Sequence, residues 1–203
     1  MFIFQFEKRF SIHSTLKTLQ IKDCYQIGGK LFSLIEIEHC ILRAPLSKPQ
    51  FVGSSLFIPK FQKKDPRIKN AAKLADPRIN FVLNCGSHSS PYFVWPIDGG
   101  DEYDMQMDHA SWHFIQDQVF VNHEKRIIDL PKICQWYMDD FGNKNALLQF
   151  VAKYLTSAQN ADIKNLMESG NYKIRFTEYD WKFRGFFFAG ENHLTSCHWL
   201  KLQ

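Results

Sequence analysis

Cys85 closes the apolar run Ile79-Asn80-Phe81-Val82-Leu83-Asn84 and is followed by Gly86 and a Ser/Pro cluster, so its thiol is expected at a tight turn. A thiol becomes a nucleophile when a base or a positive neighbour favours its ionised form, and a third group commonly orients that base. His39 and His88 are the candidate bases. Glu36 or Asp76 could orient the base, and Arg43 or Arg78 could grip an anionic group of a substrate in two places. A structural account competes with this one. Cysteine is among the most buried residue types, and Arg43, Asp65, Arg67, Asp76 and Arg78 could form an ion-pair network with His39 as a satisfied partner.

The elements that must position these groups are readable in outline. Ile79 to Leu83 is too brief for a helix and reads as a buried strand started by Asp76-Pro77. Ser33-x-x-Glu36 has the form of a capping box, which predicts a helix from about Leu34 to Arg43. Leu34, Ile37 and Ile41 form its apolar side, while Glu36, His39 and Arg43 recur at three and four residues and share a stripe on the opposite edge. Before it, Gly28-Gly29 marks the turn of a hairpin over residues 25–32. Residues 9–19 read as a helix whose start is expected upstream of Met1. Residues 44–74, broken by prolines, read mostly as loop; Asp65-Pro66-Arg67-Ile68 there and Asp76-Pro77-Arg78-Ile79 after it are read as two Asp-Pro turn starts.

Downstream, Tyr92 to Trp95 is a second short apolar run, and residues 101–117 keep helical spacing through Tyr103, Met107, Ala110 and Phe114. His109 and His113 stand four apart on that helix, the spacing of two metal ligands on one face, but no third ligand lies at a credible distance, and no metal or cofactor is expected. Residues 119–128 read as strand, turn, strand. Helices are expected from Pro131 to Asp140, ending at Gly142, then over Ala146 to Leu155, with a short one over Ile163 to Glu168. Tyr172 to Phe176 alternates as a strand. Cys197-His198 is too isolated to be a zinc site. The expected fold is α+β: a small, mostly antiparallel sheet with strands near residues 80, 92, 120, 127 and 174 and helices packed on it. One domain over residues 1–183 and an irregular tail over 184–203 are expected.

Composition bounds the function classes. A chain of 203 residues, 45% hydrophobic and 23% charged, with 19 Phe, 7 Tyr and 5 Trp, has enough large apolar surface for a sizeable core. The net charge of +4 is concentrated in Lys48, Lys60, Lys63, Lys64, Arg67, Lys69 and Lys73, opposed only by Asp65 between residues 44 and 74. Such a run reads as a solvated loop before it reads as a nucleic-acid contact. The 5 cysteines are scattered without C-x-x-C spacing, which argues for a reducing compartment, and no window reaches the ~20 apolar residues of a membrane span. A cytoplasmic protein is the expectation.

Several blocks, in order over residues 12–183, resemble the domain of unknown function 547 family: Tyr25-x-Ile27-Gly28-Gly29, Phe32-Ser33-Leu34 with Ile37-Glu38-His39 and Ile41-Leu42-Arg43, Asp65-Pro66-Arg67, and Asp76-Pro77-Arg78-Ile79-x-Phe81-x-Leu83-Asn84-Cys85-Gly86. Lys132-Ile133 with Trp136-Tyr137, Asp140-Phe141-Gly142 and Tyr179-Asp180-Trp181 extend the resemblance. The chain departs from the family pattern at Asn80, where a histidine is usual, and at Ser90, where a second cysteine is usual. The family's long N-terminal helix is cut short here, which suggests an N-terminally truncated member. No reaction comes with the resemblance. It favours His39 over His88 as the base, because a matching block reaches His39. Asn84 stands beside Arg43 and Arg78 as a substrate-binding candidate. The leading expectation is a non-catalytic interaction or signalling module with an unidentified protein or small-molecule partner. The alternative is a cysteine-dependent hydrolase or transferase with Cys85 as nucleophile and His39 as base.

Overall fold

Gly28 and Gly29 both adopt positive φ, at 56° and 73°, which a two-residue hairpin turn requires and a side chain would resist. They join β1 (Cys24–Ile27) to β2 (Lys30–Ser33) as an antiparallel pair with Ile27 opposite Lys30. The computed structural model describes residues 24–50, 58–85, 87–91 and 100–182. The helix expected over 9–19, the strand over 92–95 and the tail from 184 lie outside those residues.

Ser33 ends β2 and caps the next element. Its hydroxyl accepts from the Glu36 N–H at 3.4 Å, and the Glu36 carboxylate accepts from the Ser33 N–H at 2.9 Å, so both halves of the capping box form. The chain then makes one turn of α1 (Leu34–Glu36) and widens into a π-helix over Ile37–Leu42, closed by the Arg43 N–H donating to the Glu38 carbonyl at 2.8 Å.

The strand expected at Ile79 to Leu83 is a correction. Pro77–Phe81 is a 3-10 helix, because the Asp76 carboxylate accepts the Arg78 N–H at 3.0 Å and Pro77 supplies the helical φ at the first position. Pro66–Asn70 repeats the arrangement, with Asp65 accepting from the Arg67 N–H at 2.9 Å. The two Asp-Pro-Arg copies are therefore the same capped turn used twice.

A second sheet holds β3 (Phe120–Asn122), β4 (Ile127–Leu130) and β5 (Lys173–Phe176) in that order. β3 pairs antiparallel with β4 across a short turn, and β5 returns to the other side of β4 in parallel. The connection between β4 and β5 supplies the crossover: α3 (Lys132–Trp136), a 3-10 turn over Met138–Phe141, α4 (Lys144–Ala152) and α5 (Ser157–Ser169). The single helix expected from Pro131 to Asp140 is thus broken at Tyr137, and α5 is longer than expected because Thr156 and Gln159 form a second capping box. With α2 (Tyr103–Gln118) packed alongside, the architecture is α+β, and among the described residues two of the three strand pairings are antiparallel.

Phe81 shows how the 3-10 turn is fixed. It is 1% exposed, stacks on Phe114 of α2 at 5.4 Å and meets Phe141 and Phe150 at 6.0 and 6.1 Å. The side chain that read as a strand residue is the plug joining the Cys85 segment to the core of Ile115, Ile128, Leu130, Leu147 and Val151. Phe81→Ala is expected to cost about 3–5 kcal/mol, read as a lowered urea midpoint at unchanged m-value.

Candidate functional site

The widened turn sends the expected stripe of Glu36, His39 and Arg43 in different directions. Glu36 faces the hairpin side, where its carboxylate meets Arg67 at 3.0 Å; Arg67 in turn grips Asp65 and lies over the Phe61 ring at 4.2 Å. Arg43, at the C-terminal end of the turn, points inward and is 2% exposed. Its guanidinium donates to Asp140 at 2.7 Å, to the Ser47 carbonyl at 3.0 Å and to the Asn80 side-chain oxygen, and it lies 3.9 Å from the centre of the Tyr137 ring. Asn80 closes the cluster by donating to Asp140 at 2.9 Å, and the Ser47 N–H donates to the other Asp140 oxygen at 3.0 Å.

His39 sits at the edge of this cluster with its ring 10% exposed and Nε2 3.5 Å from the Glu38 carboxylate. Glu38 also accepts from the Tyr137 hydroxyl at 3.2 Å. Burial lowers the His39 pKa; Glu38 opposes the shift, and Arg43 and Lys48 add to it. The carboxylate beside the imidazole is Glu38, next to it in sequence, where spacing had pointed to Glu36 or Asp76. Burial likewise raises the pKa of the Tyr137 hydroxyl, which stays a donor.

Cys85 lies in a different setting. It is exposed, and its sulfur is 2.9 Å from the Ser90 hydroxyl, 3.4 Å from that of Ser87 and 3.3 Å from that of Tyr179. Ser90 accepts two backbone N–H groups, those of Cys85 and Ser87, both at 3.2 Å, so its own proton is directed at the sulfur, at Ser87 or at the Tyr179 hydroxyl 3.3 Å away. Ser87 donates to Tyr179 at 2.7 Å, which leaves the Tyr179 proton for the sulfur. The 179–182 segment is tied down by the His88 N–H to the Lys182 carbonyl at 2.9 Å and the Asp180 N–H to the Ser89 hydroxyl at 2.8 Å. His88 is exposed, with Nδ1 3.5 Å from Asp180. Asn84 is half-buried beside Cys85. At Ser90, where the resemblance led to the expectation of a second cysteine, the chain places a hydroxyl 2.9 Å from the Cys85 sulfur.

The remaining named residues are joined to one another. Asp76 grips Arg78 through both oxygens, and Arg78 reaches Asp104 at 2.5 Å and Asp108 at 3.0 Å on α2. Cys40 donates to the Pro59 carbonyl at 3.3 Å, and Cys134 is fully buried with its pKa pushed up to about 12 by desolvation. The structure thus gathers His39 and Arg43 in one cluster, Asp76 and Arg78 in another, and Cys85 in a third. A bridge runs between the first and third: Trp136 packs against Tyr179 in a tilted pair with centroids 4.8 Å apart, and its neighbour Tyr137 covers Arg43. Asp140, Tyr137, Glu38 and Tyr179 were not singled out from spacing, although all four sit in the blocks that carry the family resemblance.

Removing one member of a buried ion pair strands the other, at a cost of about 3–5 kcal/mol. Asp140→Ala is expected to lower stability on that scale, and the Arg43→Met/Asp140→Leu double variant to recover part of the loss in urea denaturation. His39 adds a pH dependence. Its folded-state pKa lies below the ordinary histidine value of about 6.5, so the unfolded chain binds the proton more readily and stability falls as pH drops below that value toward the folded pKa. In His39→Gln the decline of the urea midpoint across that window is expected to be shallower than in the unaltered protein.

No curated protein and no solved structure matches the chain. A family model described as "Protein of unknown function, DUF547" matches residues 4–115, more than half of the chain. His39, Arg43, Asn80 and Cys85 fall inside the match, whereas Tyr137, Asp140 and Tyr179, which complete their surroundings, fall beyond it. The chain belongs to the DUF547 family of proteins of unknown function.

Proposed function

We propose that this chain is a non-catalytic interaction or signalling module, built as one domain over residues 1–183 and acting in the cytoplasm on a protein or small-molecule partner. The observation that carries the reading is where the charged candidates spend their hydrogen bonds. Glu36 is held by Ser33 and Arg67, Asp76 by Arg78, and Arg43 by Asp140, Asn80 and Ser47. Groups committed to internal partners hold loops in place; they are not free to bind a substrate or orient a base. The unpaired state of Cys40, Cys85 and Cys134 fits a reducing compartment. Among the described residues no helix is long and apolar enough to cross a membrane.

One observation favours a second reading, a cysteine-dependent hydrolase or transferase with Cys85 as nucleophile and His39 as base. The sulfur is exposed and ringed by hydroxyls, which is not the setting of a packing residue. In that reading Glu38, the carboxylate beside His39, takes the orienting place expected of Glu36 or Asp76, and Arg43, Arg78 and Asn84 are the substrate-binding candidates. Alkylation by iodoacetamide across pH separates the two. For the interaction module, the Cys85 signal, defined by its loss in Cys85→Ala, should show the rate of an ordinary exposed thiol and be unchanged in His39→Ala. A rate that drops in His39→Ala would select the enzyme.

A further inference from the structure

Helix α2 carries His109 and His113 one turn apart on its exposed face, with their Nε2 atoms 3.2 Å apart and their rings crossed at 83°. Two neutral imidazoles at that separation share one proton, one nitrogen donating and the other accepting. An ion with metal–nitrogen bonds of about 2.0–2.1 Å spans roughly 2.9–3.4 Å between two adjacent ligands, whether it is square-planar or tetrahedral. The separation therefore already matches the bite of a chelate.

Two further features suit a cation. Trp112 packs edge-on against His113 at 4.8 Å between centroids, which restrains that ring. The stretch 101–118 carries Asp101, Glu102, Asp104, Asp108 and Asp117 with no lysine or arginine. Arg78 neutralises part of this charge through Asp104 and Asp108, and Lys153 lines the same groove as His109, so the field is mildly rather than strongly acidic. We propose that His109 and His113 form a bidentate surface site for a borderline divalent transition-metal ion such as Ni²⁺, Cu²⁺ or Zn²⁺. The ion takes the place of the shared proton, and the imidazole that had donated it carries its hydrogen on Nδ1 instead, so both ligands stay neutral. Among the described residues no third histidine, cysteine or carboxylate completes a ligand set, so the other positions are filled by water or by a donor from another molecule. This site is separate from the residues used in either functional reading above.

The test is calorimetric titration of nickel chloride into the full chain and into His109→Ala, His113→Ala and His123→Ala. His123 is an exposed turn histidine and serves as the control. Each substitution in the pair should weaken one nickel site by at least about tenfold, the scale on which even an outer-shell partner counts, with His123→Ala unchanged. All these positions are exposed, so the variants fold. Absence of nickel binding, or an affinity in His109→Ala or in His113→Ala equal to that of the unaltered chain, would overturn the proposal.

Discussion

A charge that has left water must be answered inside the protein, and here that charge is Arg43. Its guanidinium ties its own widened turn and the adjacent segment at Ser47 to two stretches far away in sequence, the 3-10 turn carrying Asn80 and the 3-10 turn ending near Asp140, so that four segments meet. The Nε of Arg43 is buried without a partner among the described residues, so even this cluster leaves one donor unanswered. An apolar cluster could be more stable, but it would not require one arrangement of these four segments. The geometry around His39 and the approach of the Cys85 segment both follow from it.

The parts of the fold that were legible in sequence are those set by neighbours a few residues apart. Gly28-Gly29 marked the hairpin because only positive φ closes such a turn, and Ser33 with Glu36 marked the helix start because each satisfies the other's backbone. The alternation at 173–176 marked β5, but nothing local says that it pairs in parallel with β4 across three helices. Ile79 to Leu83 was misread because a short apolar run suits a buried strand or a buried turn equally, and Asp76-Pro77 is as good a 3-10 cap as a turn starter.

The candidate site was less legible than the fold, for a related reason. Helical spacing put Glu36, His39 and Arg43 on one stripe, and one extra residue per turn in the π-helix separated them. The partners that define each group are non-local: Asp140 for Arg43, Tyr137 for Glu38, and Tyr179 for Cys85. Only the family blocks pointed toward them, and they did so without saying which residue meets which.

The hydroxyl ring at Cys85 has a consequence for the order of assembly. Tyr179 follows β5, and β5 can dock on β4 only after α3, α4 and α5 have folded back across the sheet. Contacts of such long sequence separation form late, because the loop must be closed before they contribute. The Ser87 and Ser90 hydroxyls are local to the thiol, so during folding only the Tyr179 hydroxyl, 94 residues away, waits for the final native contacts. A chain arrested before β5 docks therefore keeps the two serine hydroxyls but lacks the Tyr179 contact and the backbone ties between the 88–89 and 180–182 segments that hold Cys85 in its native surroundings.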